Sequence, residues 1–325
     1  MESNHLFRIA DHNLLIKFTD SRNNRTGCSD NSTDCSDNST DYQDNCTDNS
    51  DNSIDLLPSL RPFAVDREAG DNLLFTLTVH ERLQPVREYE PVRTFDTGNG
   101  DTVVHRLGNG GYQFVIKDLR GGSCCLLQTD AAFARCECAL NGTRTMKQFG
   151  LNNALMLVFA FAASKHSTIL MHASCVAHGG CAYPFIAKSG TGKSTHSNLW
   201  LNYIEGTELV NDDNPIIRVN GREAVLYGSP WSGKTPCYRN VKFPLGALTR
   251  IDRARKNSVE RLQPVQALAS ILPSCSSMKW DSAIYNNLLD TITALIETVP
   301  IYTLHCLPDR EAAELCHKTI SERAR

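Results

Sequence analysis

The chain lacks any long apolar run. Its longest uninterrupted stretch, Ala154 to Ala163, is ten residues, about half of what a spanning helix needs, so no membrane partner is expected. It also lacks an excess of charge of either sign, with 33 Lys plus Arg against 36 Asp plus Glu for a net charge of −3. That balance offers neither the basic footprint of a nucleic-acid binder nor a polybasic membrane anchor. The start, Met1-Glu2-Ser3-Asn4-His5, has neither the basic residues nor the apolar stretch of a secretion signal, and a cytoplasmic location is expected. A disulfide framework is lacking too. The 13 cysteines are odd in number and scattered, which in an intracellular chain favours free thiols.

One tract lacks basic residues altogether. Residues 28 to 55 hold eight Asp and no Lys or Arg, which leaves the remainder mildly basic and suited to an anionic ligand. From Cys28 the sequence repeats every seven residues as Cys-Ser-Asp-Asn-Ser-Thr-Asp and variants of it. Each period offers one Cys or Tyr where a helical seam needs two apolar positions. A disordered heptapeptide-repeat insertion is therefore expected over 22–55. A calcium-loop reading of its aspartates lacks the Gly and the closing Glu that such loops use.

On either side of the insertion the chain has folding power, its 41% hydrophobic content being enough for a sizeable core. N-terminal strands are expected over 1–21, where residues 6–18 read as two strands around an Asp11-His12-Asn13 turn. A β-rich domain is expected over 56–146. Its apolar stretches (Leu73 to Val79, Thr102 to Leu107, Tyr112 to Ile116, Cys124 to Leu127, Ala132 to Ala139) alternate with Gly- and Asn-rich turns, the rhythm of an antiparallel meander. Cys124, Cys125, Cys136 and Cys138 fall in these strands, where neighbours face opposite ways and the spacings are not those of zinc ligands. They are read as structural. Residues 147–164 are apolar nearly all round and read as a buried helix opening an α/β domain over 147–325.

Within that domain Tyr183 to Ile186 leads into Ala187-Lys188-Ser189-Gly190-Thr191-Gly192-Lys193-Ser194-Thr195 and then a helix-compatible stretch. This is a Gly-rich turn closing on Gly-Lys-Ser between strand and helix, with Ala187 in place of the usual opening Gly. Gly190 and Gly192 let backbone amides turn inward, and the helix start adds unpaired amides and the positive end of its dipole. A nucleotide is thus expected across Ser189, Gly190, Thr191, Gly192, Lys193, Ser194 and Thr195, with Lys193 on the outer phosphates and the Ser194 hydroxyl on Mg2+. Seventeen residues past Thr195, Leu209-Val210 runs into Asp212-Asp213. A carboxylate at a strand end beside such a loop suits metal binding or acceptance of a hydroxyl proton. The polar loop Gly228 to Asn240 reads as a mobile flap whose Lys234 or Arg239 brings positive charge to a transferring phosphoryl group.

Taken together, Met171, His172 and Ser174, the Ser189–Thr195 loop and Asp212-Asp213 resemble the nucleotide core shared by HPr kinase/phosphorylase and ATP-dependent phosphoenolpyruvate carboxykinase. His172 stands 15 residues before Ala187, a spacing similar to that in the bacterial HPr kinases, and the resemblance covers roughly residues 165 to 250. The stretch Ser229-Pro230-Trp231-Ser232-Gly233-Lys234 is similar to that of HPr-kinase-related proteins found beside peptide-modification clusters. The resemblance implies an α/β fold with a P-loop core of the HPr kinase C-terminal/carboxykinase type, preceded by the β-rich region. It implies an ATP- and Mg2+-dependent kinase. Asp212 would be its base, His172 would tune that base or approach the metal, and Asp213 would help hold metal. The acidic residue that HPr kinases use for metal after the next strands has no counterpart, Leu226-Tyr227-Gly228-Ser229 occupying that region. The acceptor is left open between a protein or peptide serine and a small molecule, and homo-oligomerisation is left open. A carboxykinase-like enzyme and a non-catalytic nucleotide-binding module are the alternatives.

Overall fold

A tight reversal at Ala10-Asp11 starts the fold. The computed structural model describes residues 3–19, 53–66, 72–96, 100–233 and 235–321. The repeat insertion lies outside these apart from its last three residues, and Lys234 lies outside them too. Strands β1 (Ser3–Ile9) and β2 (His12–Phe18) pair antiparallel. Ala10 and Asp11 between them have φ of 49° and 59°, the mirror-image turn whose twist matches the strands of a two-residue hairpin. His12 and Asn13, expected in the turn, are therefore strand residues, and His12 is buried.

The next six strands are β3 (Leu73–His80), β4 (Tyr89–Asp96), β5 (Asp101–Leu107), β6 (Tyr112–Lys117), β7 (Ser123–Thr129) and β8 (Arg135–Leu140). With the hairpin they make an eight-stranded sheet in the order β1-β2-β3-β8-β7-β6-β5-β4. From β4 to β8 it is the antiparallel meander read from the sequence, with β4 as an additional strand. The exception is β3, which pairs parallel with β2 on one side and with β8 on the other. β8 begins at Arg135 rather than Ala132 because Phe133 has a φ of 55°, which no strand accommodates. The Phe133 ring is fully buried against Tyr112, Phe114 and Phe161.

Helix α1 (Arg144–Ala162) starts earlier than the apolar run suggested, because the Thr143 side chain caps it by accepting from the Met146 amide. Its Leu151, Leu155, Val158 and Phe159 share one core with Leu77, Phe114 and Leu127 of the sheet, each such burial stabilising by about 1.5–3 kcal/mol. The helix lies close on the sheet at Gly150, where a Cβ would stand 2.7 Å from the Cys124 carbonyl oxygen.

The rest of the chain is β9 (Thr168–Leu170), β10 (Ala173–His178), β11 (Cys181–Ile186), α2 (Lys193–Tyr203), β12 (Glu208–Asp213), β13 (Ile216–Asn220), β14 (Glu223–Tyr227), β15 (Lys242–Pro244), β16 (Leu248–Arg253), β17 (Ser258–Arg261), α3 (Pro264–Ile271), α4 (Ser282–Thr298), β18 (Ile301–Cys306) and α5 (Arg310–Ser321). A six-stranded sheet runs β12-β10-β11-β16-β18-β17, parallel only at β11–β16 and β16–β18. A four-stranded antiparallel sheet runs β15-β14-β13-β9. β16 does not start until Leu248. The Leu245 and Gly246 amides are spent on Ala224 and Ala182 while the chain crosses from the four-stranded to the six-stranded sheet.

Alternation along the strands builds two cores on opposite faces of the six-stranded sheet. Val176, Tyr183 and Phe185 pack with Trp200 of α2 and Cys316 of α5. Cys175, Ala182 and Ile186 pack with Ile292 of α4, Ile271 of α3 and Ile217 of the four-stranded sheet. The first hairpin is fastened to that smaller sheet: Asp11 accepts from the Tyr227 hydroxyl at 2.7 Å and from Lys242 at 3.1 Å, and Arg218 donates to the Ala10 carbonyl at 2.9 Å. The described residues thus form a mixed α/β structure with three sheets. Cys124, Cys125, Cys136 and Cys138 are buried in it as free thiols. No helix among the described residues is long and apolar enough to cross a membrane.

Candidate functional site

Strand β11 ends at Ile186, residues 187–192 make a loop, and α2 begins at Lys193, the strand-loop-helix order read from the sequence. Gly190 has a φ of 75° and Gly192 of 127°, conformations that a residue with a Cβ takes up only with strain. The first intrahelical bond runs from the His196 amide to the Gly192 carbonyl at 2.9 Å, and no side chain caps the helix start. The amides of Lys193, Ser194 and Thr195 are left without an intrahelical acceptor, and the positive end of the helix dipole lies among them.

Strands β10 and β12 bring the other sequence-derived residues to the same place. His172 immediately precedes β10, and the pairing sets Ala173 opposite Asp213 and Ser174 opposite Asp212. His172 then stands between the helix start and the acids. Its Nε2 is 2.8 Å from Lys193 Nζ and its Nδ1 is 3.0 Å from an Asp213 carboxylate oxygen. An ammonium can only donate, so Nε2 accepts, the ring proton sits on Nδ1, and that N–H donates to Asp213. The other Asp213 oxygen accepts from the Asn214 side chain at 2.7 Å. Asp212 is 8% exposed, and its carboxylate makes no hydrogen bond among the described residues. Burial pulls the pKa of Lys193 down, opposed by the charges of Asp213 and Asp212.

Two residues that the sequence reading did not single out shape this cluster. Asn211 is fully buried. Its oxygen accepts from the amides of Asp213 and Asn214 at 3.0 and 2.8 Å, and its NH2 donates to the Trp231 carbonyl at 3.1 Å. The strand end that carries the acids is thereby fixed to the 228–240 loop. That loop, expected to be a mobile flap, is anchored by buried Ser229, Trp231 and Cys237. The second residue is Arg253, at the end of β16. It donates to the carbonyls of Gly190 at 2.6 Å and Thr191 at 3.0 Å. A cavity of about 590 Å³ opens beside the loop between Lys188, Ser189, Asp252, Arg253 and His305. An asparagine within a strand and an arginine 62 residues beyond Thr191 carry no local pattern that marks either.

No family model matches the chain, and no curated protein does. Among solved structures it has a weak relation to the Hpr(Ser) kinase/phosphatase from Coxiella burnetii. That likeness spans 47% of this chain and 95% of that chain, at 9% sequence identity and a TM-score of 0.29.

Arg239 is not brought to the cluster. It pairs with Glu208 at 2.6 Å and donates to the Leu209 carbonyl, at the far end of β12. Five strand steps separate Glu208 from Asp213, about 16 Å at the rise of an extended chain. Its guanidinium is engaged by Glu208 rather than by the line Asp213, His172, Lys193. Lys234, its alternative, lies outside the described residues. Ser194 and Thr195 stand exposed on the first turn of α2.

Uncapped amides at a helix start, with Lys193 among them, suit a polyphosphate. The oxygens of Ser194, Asp212 and Asp213 are the hard donors that Mg2+ takes alongside phosphate. No group of three or more His, Cys, Asp or Glu among the described residues forms a metal cage by itself.

Proposed function

We propose that the protein is an ATP-dependent phosphotransferase, moving the γ-phosphate to a hydroxyl acceptor on a protein, a peptide or a small molecule. One observation carries this reading: the hydrogen-bonded line Asp213, His172, Lys193, which joins paired carboxylates to the loop lysine at an uncapped helix start. The loop from Ser189 to Thr195 holds the phosphates through its amides, and the adjacent cavity leaves room for the nucleoside. Ser194 and Asp213 hold Mg2+, which supplies charge neutralisation at the phosphates when bound. Lys193 adds a positive charge beside them. Asp212, whose carboxylate makes no hydrogen bond among the described residues, takes the proton of the acceptor hydroxyl. His172 keeps Asp213 oriented through its Nδ1–H.

The experiment is transfer of label from γ-labelled ATP, with Mg2+, to a panel of serine peptides and polyols, alongside ATP binding by calorimetry. Asp212→Asn is expected to bind ATP as the parent does and to lose transfer by about 10²- to 10⁴-fold. Wild-type transfer by that variant, or a parent protein that binds no ATP, overturns the reading.

A further inference from the structure

We infer that Arg253 is a positioning residue that sets the phosphate-binding shape of the 187–192 loop by gripping two successive carbonyls from behind. The inference rests on the nucleotide reading of that loop. β16 runs parallel beside β11, with Ile186 opposite Arg250, so Arg253, three residues further on, arrives alongside the loop. Its Nη2 donates to the Gly190 oxygen at 2.6 Å and its Nε to the Thr191 oxygen at 3.0 Å. These are its hydrogen bonds among the described residues. The neighbouring Asp252 carboxylate is engaged by Arg250 at 3.1 Å.

In a planar trans peptide the C=O and the following N–H point in opposite directions. Gripping the Gly190 and Thr191 carbonyls therefore turns the amides of Thr191 and Gly192 away from Arg253. The Thr191 amide is taken by the Lys188 carbonyl at 3.1 Å, which closes a turn. The Gly192 amide has no acceptor among the described residues, and it joins those of the first turn of α2. With glycine at 190 and at 192, both in left-handed conformations, each of these peptide planes has on one side a residue without the side-chain bulk that would otherwise limit its rotation. A plane turned over would present a carbonyl oxygen where phosphate oxygens must sit. The fork of Arg253 blocks that rotation, and its positive charge lies against the backs of the carbonyls. Lysine, a single ammonium on a flexible stem, would not reproduce a two-point grip.

The test compares Arg253→Ala and Arg253→Lys with the parent, reading Mg-ATP affinity by calorimetry, KM against kcat, and amide exchange of residues 188–193 without nucleotide. Arg253→Ala is expected to lose protection at the Thr191 amide and to raise Kd and KM for ATP about tenfold with kcat nearly unchanged. Arg253→Lys should fall between. Unchanged Thr191 exchange overturns the inference, and so does lost protection with parental ATP affinity. A parent that binds no ATP removes the nucleotide reading, and the role of Arg253 in binding with it. The exchange arm still decides separately whether Arg253 fixes the loop. Circular dichroism melts equal to the parent's establish that the variants fold.

Discussion

Lys193 donates to Nε2 of His172 across 2.8 Å, and so the lysine that opens α2 leans towards the acids as well as the glycine loop. The histidine is a spacer between a cation and an anion, its Nε2 facing Lys193 and its Nδ1 facing Asp213.

Removing that spacer should therefore disturb catalysis more than binding. His172→Ala is expected to lower kcat by about 10- to 100-fold, the usual effect of removing a group that orients a metal-binding carboxylate, while ATP affinity changes by only a few-fold. Unchanged kcat would show that Asp213 needs no orienting partner.

Ser174 and Ser197 share a hydrogen bond of 2.6 Å, with both residues about 1% exposed, and tie β10 to α2 directly behind the loop. Either single change to Ala strands the other hydroxyl and should cost about 1–3 kcal/mol. The double variant should cost clearly less than the sum of the singles, since no orphan remains. Additive losses in urea unfolding would argue that the bond contributes nothing.

Gly150→Ala sets two effects against each other. Alanine favours a helix interior by about 1 kcal/mol, but its Cβ would meet the Cys124 carbonyl oxygen at 2.7 Å and Cys125 Cβ at 2.9 Å. Overpacking of that kind typically costs about 1–3 kcal/mol, and the obstruction is largely backbone. A net loss of stability is expected, and a Tm at or above the parent's would mean that α1 lifts freely from the sheet.

His196 is 2% exposed, accepts from the Trp200 indole at 3.1 Å, and burial lowers its pKa to about 4. Since the folded value lies below the unfolded one of about 6.5, the neutral ring is favoured in the fold. Stability is whole above pH 6.5 and falls as the pH drops towards 4, by about 3 kcal/mol at most. His12, also lowered to about 4, acts in the same direction. Urea midpoints between pH 7 and pH 4 should show the fall, and His196→Gln should reduce it. An identical pH slope in that variant would remove His196 as a cause.

Much of this was legible in the sequence where the signal is local. The strand, glycine loop and helix around Lys193 are consecutive, and the buried face of α1 is written in its apolar run. The paired acids after Val210 were singled out from their residue types at one strand end, while their link to Lys193 through His172 rests on strand pairing that the sequence does not show. What escaped reading depended on distant neighbours. Phe133 breaks a strand because its ring has a pocket waiting, and Arg239 is drawn to Glu208 by a partner 31 residues back. The parallel placement of β3 between β2 and β8 leaves no trace in its alternating residues, because hydrophobic alternation does not tell which partner a strand will choose.

That placement bears on how the chain is made. Leu73–His80 leaves the ribosome more than fifty residues before Arg135–Leu140, the strand that covers one of its sides. Throughout that interval of synthesis one rim of an apolar strand is open to any other nascent chain. Crowded, rapid production should therefore yield aggregates that slower translation or chaperone supply relieves, whatever the finished protein's own stability.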